Sequence, residues 1–216
     1  IYGNIVADDT FFDHERYCQT WSIEDQRWYY APRISGLSIN ENLIALVVKA
    51  RGKVGEKAKV STIPKTKYPR VVNQALTVPE TTKPSITVEK PWLKDEITIK
   101  GTIRSGTKWE FKENEEWVTV ENPCLYTASV FKEHLEQARI HVGGRIEMGK
   151  LEDGAQRIMA SVSPPLSEII NWMLKESDNF YAEQIIKTLG AELRGEGSWN
   201  KGVEVINEFL RDTHIN

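Results

Sequence analysis

Cysteine is scarce in this 216-residue chain, with only Cys18 and Cys124. Two thiols cannot build a disulfide framework, and no Cys/His spacing fits a zinc site, so the count favours two free thiols over a single bridge. No apolar run approaches the ~20 residues that span a bilayer, and the opening IYGNIVADDTFFD reads as a strand and not as a signal peptide. Charge of one sign is also missing. Lys and Arg number 28 against 31 Asp and Glu, for a net charge of -3 and a pI near 5.9. No Lys/Arg cluster recurs along one face of an element, which argues against nucleic acid as a partner. The histidines His14, His134, His141 and His214 share no ligand spacing and read as solvated or core residues. Asp8-Asp9 and Glu113-Asn114-Glu115-Glu116 lack the ligand spacing of a calcium loop and read as solvated turns. No metal and no cofactor are expected. There is neither an initiator Met nor a targeting segment, and the chain is expected to be an internal piece of a longer protein.

The hydrophobic content of 40% is enough for a buried core. From Gly3 to about Pro123 the sequence consists of short β-branched or alternating runs: Asn4–Ala7, Leu43–Val48, Val71-Val72, Ser85–Val88 and Glu96–Ile103. Arg51-Gly52-Lys53-Val54-Gly55 and Ser105-Gly106-Thr107 supply turns between them. After Pro123, Val130, Phe131, Leu135 and Ala138 fall at helical spacing and predict a helix over Tyr126–His141. Arg157–Val162 alternates like a strand, and Ser163-Pro164-Pro165 then forces an extended turn before a helix opens at Leu166. Three apolar sets at helical spacing follow: Ile169, Ile170 and Met173; Ile185, Ile186 and Leu189; and Trp199, Val203, Ile206, Phe209 and Leu210. The last two are separated at Gly195-Glu196-Gly197. Strands first and helices last predict an α+β fold, not a doubly wound sheet.

The first and second of these helices meet at Ser177-Asp178-Asn179. Three residues that compete with the helix backbone for hydrogen bonds read first as a helix end and a new N-cap. S-D-N is also the second of three motifs, with S-x-x-K and K-T-G, of penicillin-binding proteins and class A β-lactamases. The segment SPPLSEIINWMLKESDNFYAEQIIKTLGAELRGEGSWNKGVEVINEFL resembles the corresponding part of the D-alanyl-D-alanine carboxypeptidases of the penicillin-binding protein 4 type. GNIVADDTFFD, Trp21, Tyr29-Tyr30-Ala31-Pro32, Ile34–Ser38 and Ala128–Ile140 resemble that family in the same order. The resemblance is weakest between about Lys49 and Asn122.

This resemblance implies β-rich nested insertion domains followed by a helical segment of a penicillin-binding/β-lactamase-like catalytic domain. Residues 1–36 and 124–163 would form one inserted α+β domain, 37–123 a β-rich domain nested within it, and 164–216 the helical part of the catalytic domain. It implies a serine-type D,D-peptidase of the bacterial cell envelope, outside the cytoplasm, acting on peptidoglycan stem peptides and acylated by β-lactam antibiotics. Ser177 would pass a proton to the leaving amine, Asn179 would hold the substrate's peptide group, and Asp178 would cap the helix.

The other two motifs are not evident. No K-T-G, K-S-G or H-T-G occurs, and the three S-x-x-K matches (Ser105/Lys108, Ser129/Lys132 and Ser198/Lys201) fix too few positions to be specific. Ser105 falls in a turn, Ser198 suits an N-cap, and Ser129 lies on a helix that the resemblance places away from the cleft. The chain by itself is therefore expected to be inactive. The competing reading is a non-catalytic cell-wall binding or interaction module carried by residues 37–123, with Trp92, Trp109 and Trp117 as a glycan-facing patch. A compact secreted β-lactamase has no place for the β-rich stretch. An apolar stripe of Ile169, Met173, Ile185, Ile186 and Leu189 would favour self-association through the helical tail.

Overall fold

The computed structural model describes residues 1–110 and 117–215. Its strands are β1 (Ile5–Ala7), β2 (Leu43–Lys49), β3 (Lys59–Ile63), β4 (Arg70–Asn73), β5 (Leu76–Val78), β6 (Ser85–Glu89), β7 (Glu96–Arg104), β8 (Lys108–Glu110) and β9 (Trp117–Thr119). Then come helix α1 (Pro123–Gln137), strand β10 (Ile146–Met148), and helices α2 (Leu166–Glu176), α3 (Asn179–Arg194) and α4 (Trp199–Asp212). The fold is α+β. Among the described residues no helix is long and apolar enough to cross a membrane.

β2 is apolar through six successive buried residues, Leu43 to Val48, because it is central: β3 flanks one edge, and β8 and β9 share the other, all antiparallel. Its Ile44, Leu46 and Val48 meet Ile97, Ile99 and Ile103 of β7 and Tyr126 and Val130 of α1 in the main core. β7 carries β4 and β5 in tandem along one edge, both parallel to it, and β6 antiparallel along the other. Gly101 permits this close pairing, since a Cβ there would lie 1.7 Å from the Ser85 carbonyl oxygen.

α1 starts sharply, with Asn122 accepting from the Leu125 amide and Pro123 in the first turn. It is buried on two sides. Tyr126 enters the main core and donates its hydroxyl proton to the Leu43 carbonyl, while Cys124 and Ala128 pack with Ala7, Ile5 and Ile146 of the small parallel sheet β1–β10. The helix begins three residues before the predicted Tyr126 and ends at Gln137, ahead of Arg139 with a φ of 63°. Cys18 and Cys124 are free, and burial pushes the Cys124 thiol up to about 11.

α2 opens directly after Pro164-Pro165, and α3 ends at Gly195 in the left-handed conformation, as the turn chemistry predicts. The predicted strand over 157–162 does not form. Ile158, Met159 and Val162 are 96%, 82% and 91% exposed, and the segment pairs with no strand among the described residues. Alternation gives a segment the capacity to pair, but a strand also needs a neighbouring backbone. β3, β5, β8, β9 and β10 were not predicted. Four of them are only three residues long and β3 is five, and they are set by pairing, not by their own pattern.

The helices α2–α4 bury no apolar side chain completely. The group that seats them is Lys187 of α3, whose side chain is 0% exposed. Its Nζ donates to Asp13 Oδ1 at 2.5 Å and to the Glu15 carbonyl at 2.6 Å, and lies 4.1 Å from the centre of the Trp199 ring. Replacing Lys187 with Ala leaves the Asp13 carboxylate without its partner and opens a cavity. We expect a loss of about 3 kcal/mol in urea unfolding with the m-value unchanged.

Candidate functional site

The Ser-Asp-Asn junction is built from two different helix ends. Ser177 closes α2 in the left-handed region (φ 54°, ψ 48°), with its N–H on the Met173 carbonyl. Asp178 is the N-cap of α3, its Oδ1 accepting from the Tyr181 amide at 3.2 Å. Asn179 is the first residue of α3, and its Nδ2 donates to the Tyr30 carbonyl at 2.8 Å. Asp178 is thereby spent on the helix, and Asn179 is tied by one amide hydrogen to the 29–30 loop. Ser177 is exposed, and its hydroxyl makes no hydrogen bond among the described residues.

The junction forms one wall of an open cavity of about 290 Å³. Trp172 and Glu176 extend that wall along α2 and Phe180 along α3; Tyr29, Tyr30, Leu43 and Trp117 also line the cavity, with Asn40 and Glu41 completing the lining. Tyr29 and Tyr30 stand edge to face, with ring centres 5.5 Å apart.

Sequence reasoning missed the Asn40-Glu41-Asn42 turn. All three residues are left-handed, with φ of 52°, 51° and 59°. Asn tolerates this region, whereas Glu41 is strained there. The turn is held by Asn40 Nδ2 donating to the Leu43 carbonyl at 2.8 Å, and by Asn42 Nδ2 donating to the Arg33 carbonyl at 2.7 Å and to Ser38 Oγ at 3.0 Å. The available signal was two Asn residues flanking one position just before an apolar strand. Burial, and then the Asp178 carboxylate facing it, raise the pKa of Glu41 above the ordinary glutamate range. Tyr181 is raised by burial and by the same two carboxylates.

The three S-x-x-K serines are committed elsewhere. Ser105 lies in the turn between β7 and β8, with its N–H on the Val78 carbonyl. Ser129 donates to the Leu125 carbonyl within its own helix, and Lys132 donates to the Gly144 carbonyl. Ser198 is the buried N-cap of α4, and Lys201 pairs with Glu204. Of the three tryptophans read as a possible glycan patch, Trp117 lines the cavity, Trp109 packs on the main core and Trp92 is exposed in the β6–β7 turn. Asp8 accepts from Thr10 and from the Leu151 amide, and Asp9 pairs with Arg16 at 2.5 Å. The acidic run 113–116 lies outside the described residues. Among the described residues no group of three or more His, Cys, Asp and Glu side chains is placed to hold a metal ion.

A β-rich body joined to a helix pair whose Ser-Asp-Asn junction opens on a cavity is the arrangement of a penicillin-binding-type chain. The chain belongs to the D-Ala-D-Ala carboxypeptidase 3 (S13) family, whose model matches residues 1–216. It is 27% identical, over 218 aligned residues, to the D-alanyl-D-alanine carboxypeptidase of Actinomadura sp. (strain R39), covering 97% of this chain and 40% of that protein. The crystal structure of penicillin binding protein 4 (dacB) from Haemophilus influenzae superposes with a TM-score of 0.76 at 16% identity, covering 99% of this chain and 47% of that one. The same protein complexed with a β-lactam gives a TM-score of 0.58 at 16% identity over 89% of this chain and 43% of that one. The chain thus spans less than half the length of these relatives.

The raised pKa of Glu41 has a definite sign. An acid whose folded-state pKa lies above its unfolded one favours folding when protonated, and that contribution is lost as pH rises through the folded pKa. Glu41→Gln should therefore raise the melting temperature at pH 7, and the difference should disappear below the ordinary glutamate range. An unchanged melting temperature at pH 7 would refute the assignment.

Proposed function

We propose that this chain is the S-D-N-bearing part of a serine-type D-alanyl-D-alanine carboxypeptidase/endopeptidase of the bacterial envelope, acting outside the cytoplasm on peptidoglycan stem peptides. The observation that carries the reading is the exposed, unbonded Ser177 hydroxyl at the cavity wall, beside the Asp178 that caps α3. The nucleophile of an S-x-x-K helix and a K-T-G strand would be supplied by sequence outside these residues.

That serine attacks the carbonyl of the penultimate D-alanine, the peptide C–N bond breaks to leave an acyl ester, and water then hydrolyses the ester. Ser177 relays the proton released by the attacking serine to the departing amine nitrogen, and Asn179 holds the peptide group of the substrate. A β-lactam carbonyl is attacked in the same way, and the opened ring remains attached. The carboxylates of Glu41, Glu176 and Asp178 beside the rings of Tyr29, Tyr30, Trp117 and Trp172 suit a stem peptide bearing a free ammonium group.

In this reading residues 1–36 and 124–163 form one inserted domain, 37–123 a β-rich domain nested in it, and 164–216 the re-entry into the catalytic domain. The parallel pairing of Ile5–Ala7 with Ile146–Met148 supports the first of these, since it unites both ends of the outer insert. The stripe Ile169, Met173, Ile185, Ile186 and Leu189 expected to drive self-association is half-buried, and it is instead the exposed Trp172, Leu174, Val203 and Phe209 that leave the helical tail an apolar surface for it. Light scattering at high concentration should show a dimer, and a monodisperse monomer would overturn that part.

Intact mass spectrometry after incubation with a fluorescent penicillin tests the enzymatic reading. We expect an adduct on the protein carrying its flanking sequence and none on this chain alone. Ser177→Ala in the longer protein should slow hydrolysis of a D-alanyl-D-alanine peptide on the order of 10²–10⁴-fold. An adduct on this chain would place the nucleophile inside it, with Ser129 the first position to map. No adduct on either would defeat the peptidase reading.

A further inference from the structure

The turn between β6 and β7 is exposed at its tip and fastened at both feet. Pro91, Trp92, Leu93 and Lys94 are all exposed, Trp92 at 56% and Leu93 at 62%, and the Lys94 amide closes the turn on the Pro91 carbonyl at 3.3 Å. Both feet meet the start of α1. Lys90 reaches Glu121 at 3.1 Å with its side chain only 4% exposed. Asp95 accepts from the Glu121 and Asn122 amides at 2.9 and 3.3 Å and from the Tyr68 hydroxyl. A turn held in this way presents its side chains with little conformational freedom left to lose on binding.

The turn is also strained. Leu93 occupies its third position with a φ of 56°, where glycine or asparagine is favoured. It belongs to neither apolar cluster among the described residues, so burial does not offset that strain. Strain of this kind gathers at ligand contacts, where the surrounding structure enforces it. Charge around the tip is balanced: Glu89 pairs with Lys100, Lys90 with Glu121 and Glu96 with Arg70, and Lys94 stands beside Asp95 in the sequence. A polyanion or an anionic bilayer finds no excess of cations here. What the tip offers is a flat indole face beside an aliphatic side chain, which suits a neutral ligand with apolar faces and polar edges.

We propose that Trp92 and Leu93 form a stacking platform for a glycan strand of β-1,4-linked, N-acetylated sugars. Each pyranose ring of such a strand has a flat face of C–H groups and carries its hydroxyl and acetamido groups on the rim. The choice of this polymer rests on the peptidase reading, because the stem peptides assigned to the cavity hang from such strands. Contacts join the platform to the cavity wall. Glu121, beneath the turn, also binds Arg33; Arg33 holds Gln26; and the adjacent Asp25 accepts from the hydroxyl of Tyr30, which lines the cavity. Of the three tryptophans read from the sequence as a glycan patch, Trp92 alone takes part.

Calorimetric titration of this chain with chitohexaose tests the proposal. We expect saturable binding, weakened at least about tenfold by Trp92→Ala with the melting temperature unchanged, since the side chain is exposed. Leu93→Gly should raise the melting temperature by removing strain and still weaken binding, a separation that a purely structural role would not produce. Absence of binding, or binding indifferent to both substitutions, would overturn the proposal. Pelleting with intact peptidoglycan but no affinity for chitohexaose would do so too, assigning the contact to stem peptides. So would loss of a dimer in light scattering on Trp92→Ala with no sugar binding, which would make the turn a protein contact. The penicillin adduct on the longer protein is read separately: Trp92→Ala should leave it unchanged, and its absence from parent and variant alike would defeat the peptidase reading without altering the chitohexaose result.

Discussion

The buried ammonium of Lys187 is the constraint on which the arrangement of the cavity rests. Among the described residues both apolar clusters lie in the β-rich body and α1, and neither reaches α2–α4. The helices are instead attached by directional contacts. Lys187 holds Asp13 and the Glu15 carbonyl, Gln184 Nε2 donates to the Ser35 carbonyl at 3.1 Å, and Asn179 donates to that of Tyr30. Gly197 lets the backbone of Phe11 and Phe12 come close, and the Asp13 amide donates to its carbonyl. Apolar packing tolerates small slides, whereas a desolvated cation with two oxygen partners and an aromatic face has one position. The two walls of the cavity are thus set in register by polar geometry.

The facing wall has an anchor of the same kind. Arg33 pairs with Glu121 at 2.7 Å, and Lys90 reaches the same carboxylate at 3.1 Å, with both cationic side chains almost fully buried. Asp95 accepts from the amides of Glu121 and Asn122 and from the Tyr68 hydroxyl, which fixes the start of α1. Asn42, fully buried, ties its strained turn to the Arg33 carbonyl. A continuous set of charges and amides therefore runs from the start of α1 through Arg33 to the Asn40-Glu41-Asn42 turn that faces Ser177. Such a network carries strain at Glu41 that a loop without partners would relax.

These anchors mark the limit of what the sequence makes legible. The helix boundaries at Pro165 and Gly195, the cap at Ser198 and the buried strands β2 and β7 follow from local pattern and turn chemistry, and the structure contains them. Lys187 sits beside Ile185 and Ile186 and reads locally as the solvated flank of an amphipathic helix. Its burial is decided by Asp13, which lies 174 residues away in sequence. The unpredicted strands β5, β8, β9 and β10 have the same origin, since each exists only through a partner distant in sequence, whereas β3 pairs with the strand just before it. Arg157–Val162 is the converse case, a strand-like pattern that has no partner in the described residues.

The question raised by three small polar residues between two helices has a physical answer in their separate duties. A continuous helix through 177–179 would carry the chain past the cavity with no free backbone ends. A left-handed residue at 177 turns the chain instead, at a cost of roughly 1–2 kcal/mol for a non-glycine side chain. Glycine would avoid that cost but would present no hydroxyl to the cavity. Asp178 offsets part of the cost by satisfying the Tyr181 amide, and Asn179 fixes the turn against the 29–30 loop. A junction optimised for stability alone would place glycine at 177, so the strained serine argues that its hydroxyl is what the junction is built to present.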